Sequence, residues 1–308
     1  SDLANVDVRI STMPTQHGES VVMRLLAQNT GLLQLDKLQM PPRVLERFRH
    51  AIARPSGIVL VTGPTGSGKT TTLYAAMNEL NSPEKKIITV EDPVEYRLPG
   101  LNQVQVHEKI DLSFTRVLRT ALRQDPDIIL IGEMRDQETA EIGMRAAMTG
   151  HLVLSTLHTN DALSTPIRLL DMGVPRYMVA LSIQLVLAQR LMRVICPNCS
   201  APHQPEPHEL EWLRYELGDR ATSFKYAKGN GCAHCANTGY QGRQAVYEFL
   251  EMNNALVEAA NHGDPNEFMR IGREQMAGHT LRRDAVRLVV NGRTTIEEAM
   301  RIATQLDD

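Results

Sequence analysis

No stretch of the 308 residues is long and apolar enough to cross a bilayer. The longest run, Tyr177 to Gln189, covers 13 residues between two arginines and reads as a buried helix. No signal-peptide pattern opens the sequence. A basic surplus is also missing: the formal net charge is -3, which argues against a nucleic-acid or anionic-membrane binder. Internal repeats and low-complexity tracts are absent. Cysteine is scarce, four residues in two close pairs, a pattern that points to a metal before disulfides. The first residue is Ser, and Val6-Asp7-Val8-Arg9-Ile10 already reads as a strand, so a natural N-terminal part is expected to precede it.

What is present is an ordinary globular composition, 42% hydrophobic and 22% charged, in a length that suits two domains. A second apolar run, Val21 to Leu26, follows the turn signal His17-Gly18. From Pro41 the pattern alternates strand and helix. Gly57 to Thr62, Ile87 to Val90, Ile128 to Ile131 and His151 to Thr156 are short β-branched apolar runs. Between them, helices are expected from Thr70 to about Leu80, from a Ser113 cap through Leu122, and from Gln137 to near Gly150. Phe114, Val117, Leu118, Ala121 and Leu122 lie on one helical face. Continuous apolar strands alternating with amphipathic helices predict an α/β fold with a mostly parallel sheet covered on both faces. After about Arg193 the chain turns rich in Cys, Pro, Gly and His, and from Tyr247 it reads as helical again.

Gly63-Pro64-Thr65-Gly66-Ser67-Gly68-Lys69-Thr70 matches the phosphate-loop pattern G-x-x-x-x-G-K-[ST] between a buried strand and a helix, with Thr71 next along the helix. Its glycines let backbone N–H groups converge on phosphates at a helix N-terminus. Lys69 can reach the β- and γ-phosphates of ATP, and the Thr70 hydroxyl can ligate Mg²⁺. A glycine-rich turn with a chance lysine is the bland alternative, and motif and context together disfavour it. At the end of the strand at Ile131, Gly132 stands where an Asp commonly serves the Mg²⁺ shell, and Glu133 is the natural group to orient or deprotonate water. Glu91, Asp92 and Glu95, just past Val90, can supply charge near the metal.

These segments together resemble the secretion ATPases of type II secretion and type IV pilus systems, the GspE/PilB family. Ile88 to Tyr96 looks like the family's aspartate box, Leu122 to Asp136 its Walker B region, and Thr149 to Asn160 its histidine box. The resemblance covers nearly the whole chain and implies a RecA-like P-loop core in which Glu133 is the catalytic glutamate. Glu91, Asp92 and Glu95 would then lie near Mg²⁺, and His158 would sense the γ-phosphate with His151 in support. Asp7 to Leu26 resembles the end of the family's second N-terminal domain, where Arg9 and Arg24 match arginines thought to reach the nucleotide; Arg135 and Arg168 match further family arginines. Exposed strand arginines and satisfied structural histidines are the competing readings. The resemblance also implies a homohexamer, an inner-membrane platform protein as partner, and no nucleic acid. The runs Glu95 to Pro99 and Leu169 to Pro175 look most like ATPases of mannose-sensitive haemagglutinin-type pili.

Cys196-Pro197-Asn198-Cys199 and Cys232-Ala233-His234-Cys235, with 32 residues between the pairs, can close one four-coordinate structural Zn²⁺ site. Such a site has no open position for water. His203, His208 or His234 replacing a cysteine, and a redox-active CxxC, are the alternatives. The expected division is residues 1–40 for the end of the N-terminal domain and linker, 41–193 for the ATPase core, 194–245 for the zinc subdomain and 246–308 for a helical C-terminal region. A nucleic-acid motor and a nucleotide-binding scaffold with little hydrolysis are the rival functions.

Overall fold

The computed structural model describes residues 6–27 and 34–307. Strands β1 (Val6–Thr15) and β2 (Gly18–Ala27) form an antiparallel hairpin with Thr15 opposite Gly18. Then come α1 (Pro42–Ile52), β3 (Gly57–Thr62), α2 (Lys69–Leu80), β4 (Ile87–Glu91), β5 (Asn102–Gln105), α3 (Phe114–Ala121), β6 (Ile128–Ile131), α4 (Gln137–Met148) and β7 (Leu152–Leu157). The chain continues through α5 (Ser164–Asp171), α6 (Arg176–Ser182), β8 (Ile183–Ile195), β9 (Ser200–His203), α7 (Pro207–Leu217), β10 (Tyr226–Gly229) and β11 (Tyr240–Glu251). Four helices close it: α8 (Asn254–His262), α9 (Pro265–Met276), α10 (Leu281–Val290) and α11 (Ile296–Asp307). Among the described residues no helix is long and apolar enough to cross a membrane.

Seven strands form the central sheet in the order β11-β8-β3-β7-β6-β4-β5. Every neighbouring pair is parallel except β11 with β8. Strands β3, β4, β6 and β7 are buried at every residue, which is why they read as unbroken apolar runs rather than alternating ones. Side chains alternate between two cores. Val59, Val61, Ile128, Leu130, Leu152 and Leu154 pack with Phe48 of α1 and Leu73 and Met77 of α2. Ile58, Leu60, Ile129, Ile131 and Val153 pack on the opposite face with α3, α4, α6 and the C-terminal helices. Each such fully buried aliphatic side chain contributes roughly 1.5–3 kcal/mol.

The α/β class, the largely parallel sheet and the helical C-terminal region agree with the sequence expectation. The expected helix over Tyr177 to Gln189 does not form as such: α6 stops at Ser182, and Ile183 onward is strand. A short apolar run buried on both faces carries no period that separates helix from strand. Here it pairs with β3 on one side and β11 on the other. For the same reason Tyr247 to Glu251, expected to open a helical stretch, ends strand β11. The expected boundaries near 193 and 245 therefore fall inside β8 and β11.

Candidate nucleotide cleft and metal cluster

Because β3, β4, β6 and β7 run parallel, their carboxyl ends meet along one edge, the place where open α/β sheets bind ligands. The segments leaving those ends line a cleft of about 690 Å³ that includes Thr65 to Thr71, Glu91, Asp92, Glu95, Glu133, Arg135, Thr156 and His158. That volume is within the range of small-molecule sites.

The phosphate loop follows β3 directly. Gly63, Gly66 and Gly68 have φ of 142°, 80° and 90°, a region that side chains rarely adopt. At Gly63 a Cβ would also sit 2.4 Å from the Gln189 carbonyl oxygen. Lys69, the first residue of α2, donates its ammonium to the Gly63 and Pro64 oxygens at 2.8 and 3.0 Å. Burial pushes its pKa down to about 8, Glu133 pulls it up and Arg190 pushes it down. Thr70 is exposed at the cleft, and Thr71 lines it.

Gly132 lies so close to β4 that a Cβ would sit 3.1 Å from the Val90 oxygen and 3.4 Å from Glu91 Cα. An Asp at this position would crowd the end of β4. Glu133 comes next, its side chain 18% exposed, with one carboxylate oxygen accepting from Arg135 and the other 3.6 Å from His158 Nε2. Arg135 also lies 3.8 Å from Asp92. Asp136 ends this turn by capping α4, its Oδ1 accepting the Thr139 N–H at 2.8 Å. Partial burial, then the Lys69 charge, holds the His158 imidazole below its ordinary pKa, with Glu133 opposing.

The three acidic-box residues differ. Both Glu91 oxygens are occupied: Tyr74 and Thr89 donate to it, and Gln103 Nε2 lies at 3.3 Å. A carboxylate so held orients its neighbours better than it ligates a metal directly. Asp92 and Glu95 line the open cleft. Thr156 donates to the Gly132 oxygen at 2.7 Å and so ties β7 to the Glu133 turn. Sequence reasoning did not single out Tyr74, Gln103, Thr156, Gln189 or Arg243, although Arg243 from β11 also lines the cleft. The signal that could have found Gln189 is a Gln-Arg pair directly after the apolar run Leu185 to Ala188.

Other expected residues lie elsewhere. His151 immediately precedes β7 and His158 immediately follows it; the His151 Nδ1 is 3.0 Å from the Ala146 oxygen, at the opposite end of the strand from the cleft. Arg168 is exposed on α5 and is not part of the cleft lining. The hairpin register sets Arg9 opposite Arg24, and both side chains lie outside the described residues.

The second cluster is built from the two CxxC pairs. Cys196 follows β8 and Cys235 precedes β11, and all four sulfurs lie within 4.8 Å of one another. Separations are 3.9 Å for Cys196–Cys232 and Cys199–Cys235, and 3.7 Å for Cys232–Cys235. Tetrahedral Zn–S bonds of about 2.3 Å require S···S of about 3.8 Å, so the residues fit a Zn²⁺ ion. Burial opposes a Cys235 thiolate, but the Cys232 and Gly239 N–H groups donate to its sulfur and bring its pKa down to about 6. His203, one alternative ligand, instead pairs with Glu209 at 2.7 Å. A Cβ at Gly229 would lie 2.0 Å from the Gly239 oxygen, so the module closes only around glycine.

A family model described as Type II/IV secretion system protein matches residues 2–301. The Type II secretion system ATPase E of Vibrio cholerae is 44% identical over 300 residues, which cover 97% of this chain and 59% of the relative. The Type IV pilus assembly ATPase PilB of Myxococcus xanthus is 46% identical over 295 residues, 96% of this chain and 52% of the relative. The chain thus spans little more than half the length of either relative. The crystal structure of the pilus retraction motor PilT with bound ADP aligns at a TM-score of 0.67 and 30% identity, covering 96% of this chain and 77% of that one.

Proposed function

The chain belongs to the type II/IV secretion system proteins, and from that premise we propose that it is the motor core of a secretion or pilus-assembly ATPase. It binds Mg-ATP in the cleft and hydrolyses it. The observation that carries this reading is the convergence of Lys69, Glu133, Arg135 and His158 across one cleft behind a complete phosphate loop. In this reading the loop amides and Lys69 hold the phosphates, and Thr70 ligates the Mg²⁺ of the substrate. Asp92 and Glu95 reach that metal's water shell, and Glu91 orients them from its hydrogen-bonded seat. Glu133 activates the attacking water. The His158 ring, beside Glu133, donates to the γ-phosphate and reports its presence. Arg9 and Arg24 stabilise transition-state charge from the hairpin.

The domain arrangement proposed is the four-part division at 40, 193 and 245, with β8 and β11 carrying the central sheet across its later boundaries. The tetracysteine cluster holds a structural Zn²⁺ with no open coordination position. The motor works as a homohexameric ring in the cytoplasm, docked to an inner-membrane platform protein. Among pathways, the runs Glu95 to Pro99 and Leu169 to Pro175 favour a mannose-sensitive haemagglutinin-type pilus.

The test is Mg-dependent ATP hydrolysis by the chain, Lys69→Ala and Glu133→Gln across protein concentrations, with and without single-stranded DNA. Turnover that rises with concentration, needs both residues and ignores DNA supports the reading. DNA-stimulated turnover supports a nucleic-acid motor instead, and nucleotide binding without turnover a scaffold.

A further inference from the structure

We propose that Gln189 and Arg190, consecutive residues of β8, form a positioning clamp that sets the phosphate loop against the loop carrying His158. The inference rests on reading the cleft as an ATP-hydrolysing site. Successive side chains of a strand leave on opposite faces, so a single dipeptide can hold two different loops.

On one side the Gln189 carboxamide donates through Nε2 to the Ser67 oxygen at 2.6 Å and accepts the Thr72 hydroxyl at 2.8 Å. One amide therefore ties the middle of the phosphate loop to the first turn of α2. The approach is close: a Cβ at Gly68 would lie 3.0 Å from Gln189 Nε2. On the other side Arg190 Nη2 donates to the main-chain and side-chain oxygens of Asn160 at 3.0 and 3.1 Å. Asn160 stands two residues beyond His158. Glu248 of β11 fixes the far end of that loop, accepting the Ala162 N–H at 2.7 Å with one oxygen and the Leu281 N–H at 2.8 Å with the other.

Gln189 is 1% exposed and Arg190 3%. Arg190 Nε and Nη1 have no hydrogen-bond partner among the described residues. Burying a partly satisfied guanidinium opposes folding, but the Arg190 charge is favoured by the buried Glu248 and by Asp161, so removing it alone leaves those carboxylates less compensated and lowers stability. Its direct return is the two-bond grip on Asn160. Neither side chain lines the cleft, so both act through the loops they hold, where a displacement of about 1 Å can cost 100-fold in rate.

The experiment compares the full chain with Gln189→Ala, Thr72→Val, Arg190→Met and Arg190→Lys. Turnover, KM, affinity for N-methylanthraniloyl-ATP with Mg²⁺, and melting temperature are measured for each. Gln189→Ala weakens nucleotide affinity and raises KM about tenfold, and Thr72→Val, which removes one of the two contacts, does so about threefold. Arg190→Met melts below the parent, because Glu248 loses a compensating charge, yet keeps nucleotide affinity within about twofold while it loses about 10- to 100-fold in kcat. Arg190→Lys keeps the charge without the fork and does not restore kcat. The clamp is overturned if Arg190→Met turns over normally, or if Arg190→Lys, which keeps the charge beside Glu248 without the fork, restores kcat. Should Gln189→Ala fail to fold, Thr72→Val decides the phosphate-loop arm. If the parent binds nucleotide without turnover, the motor reading fails, and amide hydrogen exchange still decides the clamp. Arg190→Met then speeds exchange over residues 157–162 and spares 63–70, Gln189→Ala does the reverse, and uniform acceleration in both overturns it.

Discussion

At residues 57–70 the chain uses a fully buried strand, three left-handed glycines and the start of a helix to aim backbone N–H groups into a cleft. Between Cys196 and Gly239 it uses two small strands, one helix and four sulfurs within 4.8 Å of one another. The first region inherits its precision from a large core on both faces of a sheet. The second is an insertion between β8 and β11 that adds Leu213, Ala221 and Tyr226 to one of the two cores, while its sulfur end closes through four cysteines and through Gly229 against Gly239. Rigidity that comes from a core survives the loss of one polar group, whereas the rigidity that the proposed Zn²⁺ would add at the sulfur end goes when the ion leaves.

Stripping the metal should therefore separate the two regions most sharply. Structural Zn²⁺ sites carry on the order of 10 kcal/mol of apparent binding free energy. A strong chelator, or Cys235→Ser, should unfold residues 196–239 while residues 57–70 stay protected, as read by hydrogen exchange alongside zinc content. Simultaneous collapse of both regions would erase the distinction. Next in size, Lys69→Ala and Glu133→Gln should each lower turnover at least about 100-fold. Zinc content and melting temperature should stay near the parent's, since neither side chain supports a core.

The pH profile sharpens the electrostatic side. In the cleft the Lys69 pKa is lowered from 10.5 to about 8. Its charge is therefore present below pH 8 and is lost as pH rises through that value. The kcat/KM for Mg-ATP should fall about tenfold per pH unit above 8, while kcat holds to higher pH because bound phosphate favours the ammonium. The smallest effect tests how tightly the sheet sets the site. Gly132→Ala must push against the Val90 oxygen at 3.1 Å, and should cost about 1 kcal/mol in denaturant unfolding with a measurable drop in turnover.

Much of this was legible along the chain because the deciding interactions are local. Strand β6 and its exit to Gly132-Glu133, the phosphate loop with its helix, and the CxxC spacing each occupy a few consecutive residues. The Ser113 cap of α3 and the fully buried strands follow from the same short-range rules. Five strands were not legible, and three of them, β5, β9 and β10, are only four residues long. Residues 183–195 and 240–251 carry no period that names them strands, and only their pairing with β3 and with each other does so.

The partners within the site were equally hidden. Glu91 reads as a metal-shell carboxylate until Tyr74, Thr89 and Gln103 are found on its two oxygens. His151 and His158 read as a pair until β7 puts them at its opposite ends. Sequence alone determined the phosphate loop, the glutamate at the strand end, the four sulfur ligands and the α/β class, because backbone geometry and ligand spacing are written in neighbouring residues. Tertiary structure alone decided that Gln189 and Arg190 grip two different loops, that Arg243 reaches the cleft, and which groups hold the Glu91 carboxylate. Those contacts join residues up to 122 positions apart, and only the closed sheet brings them within a hydrogen bond.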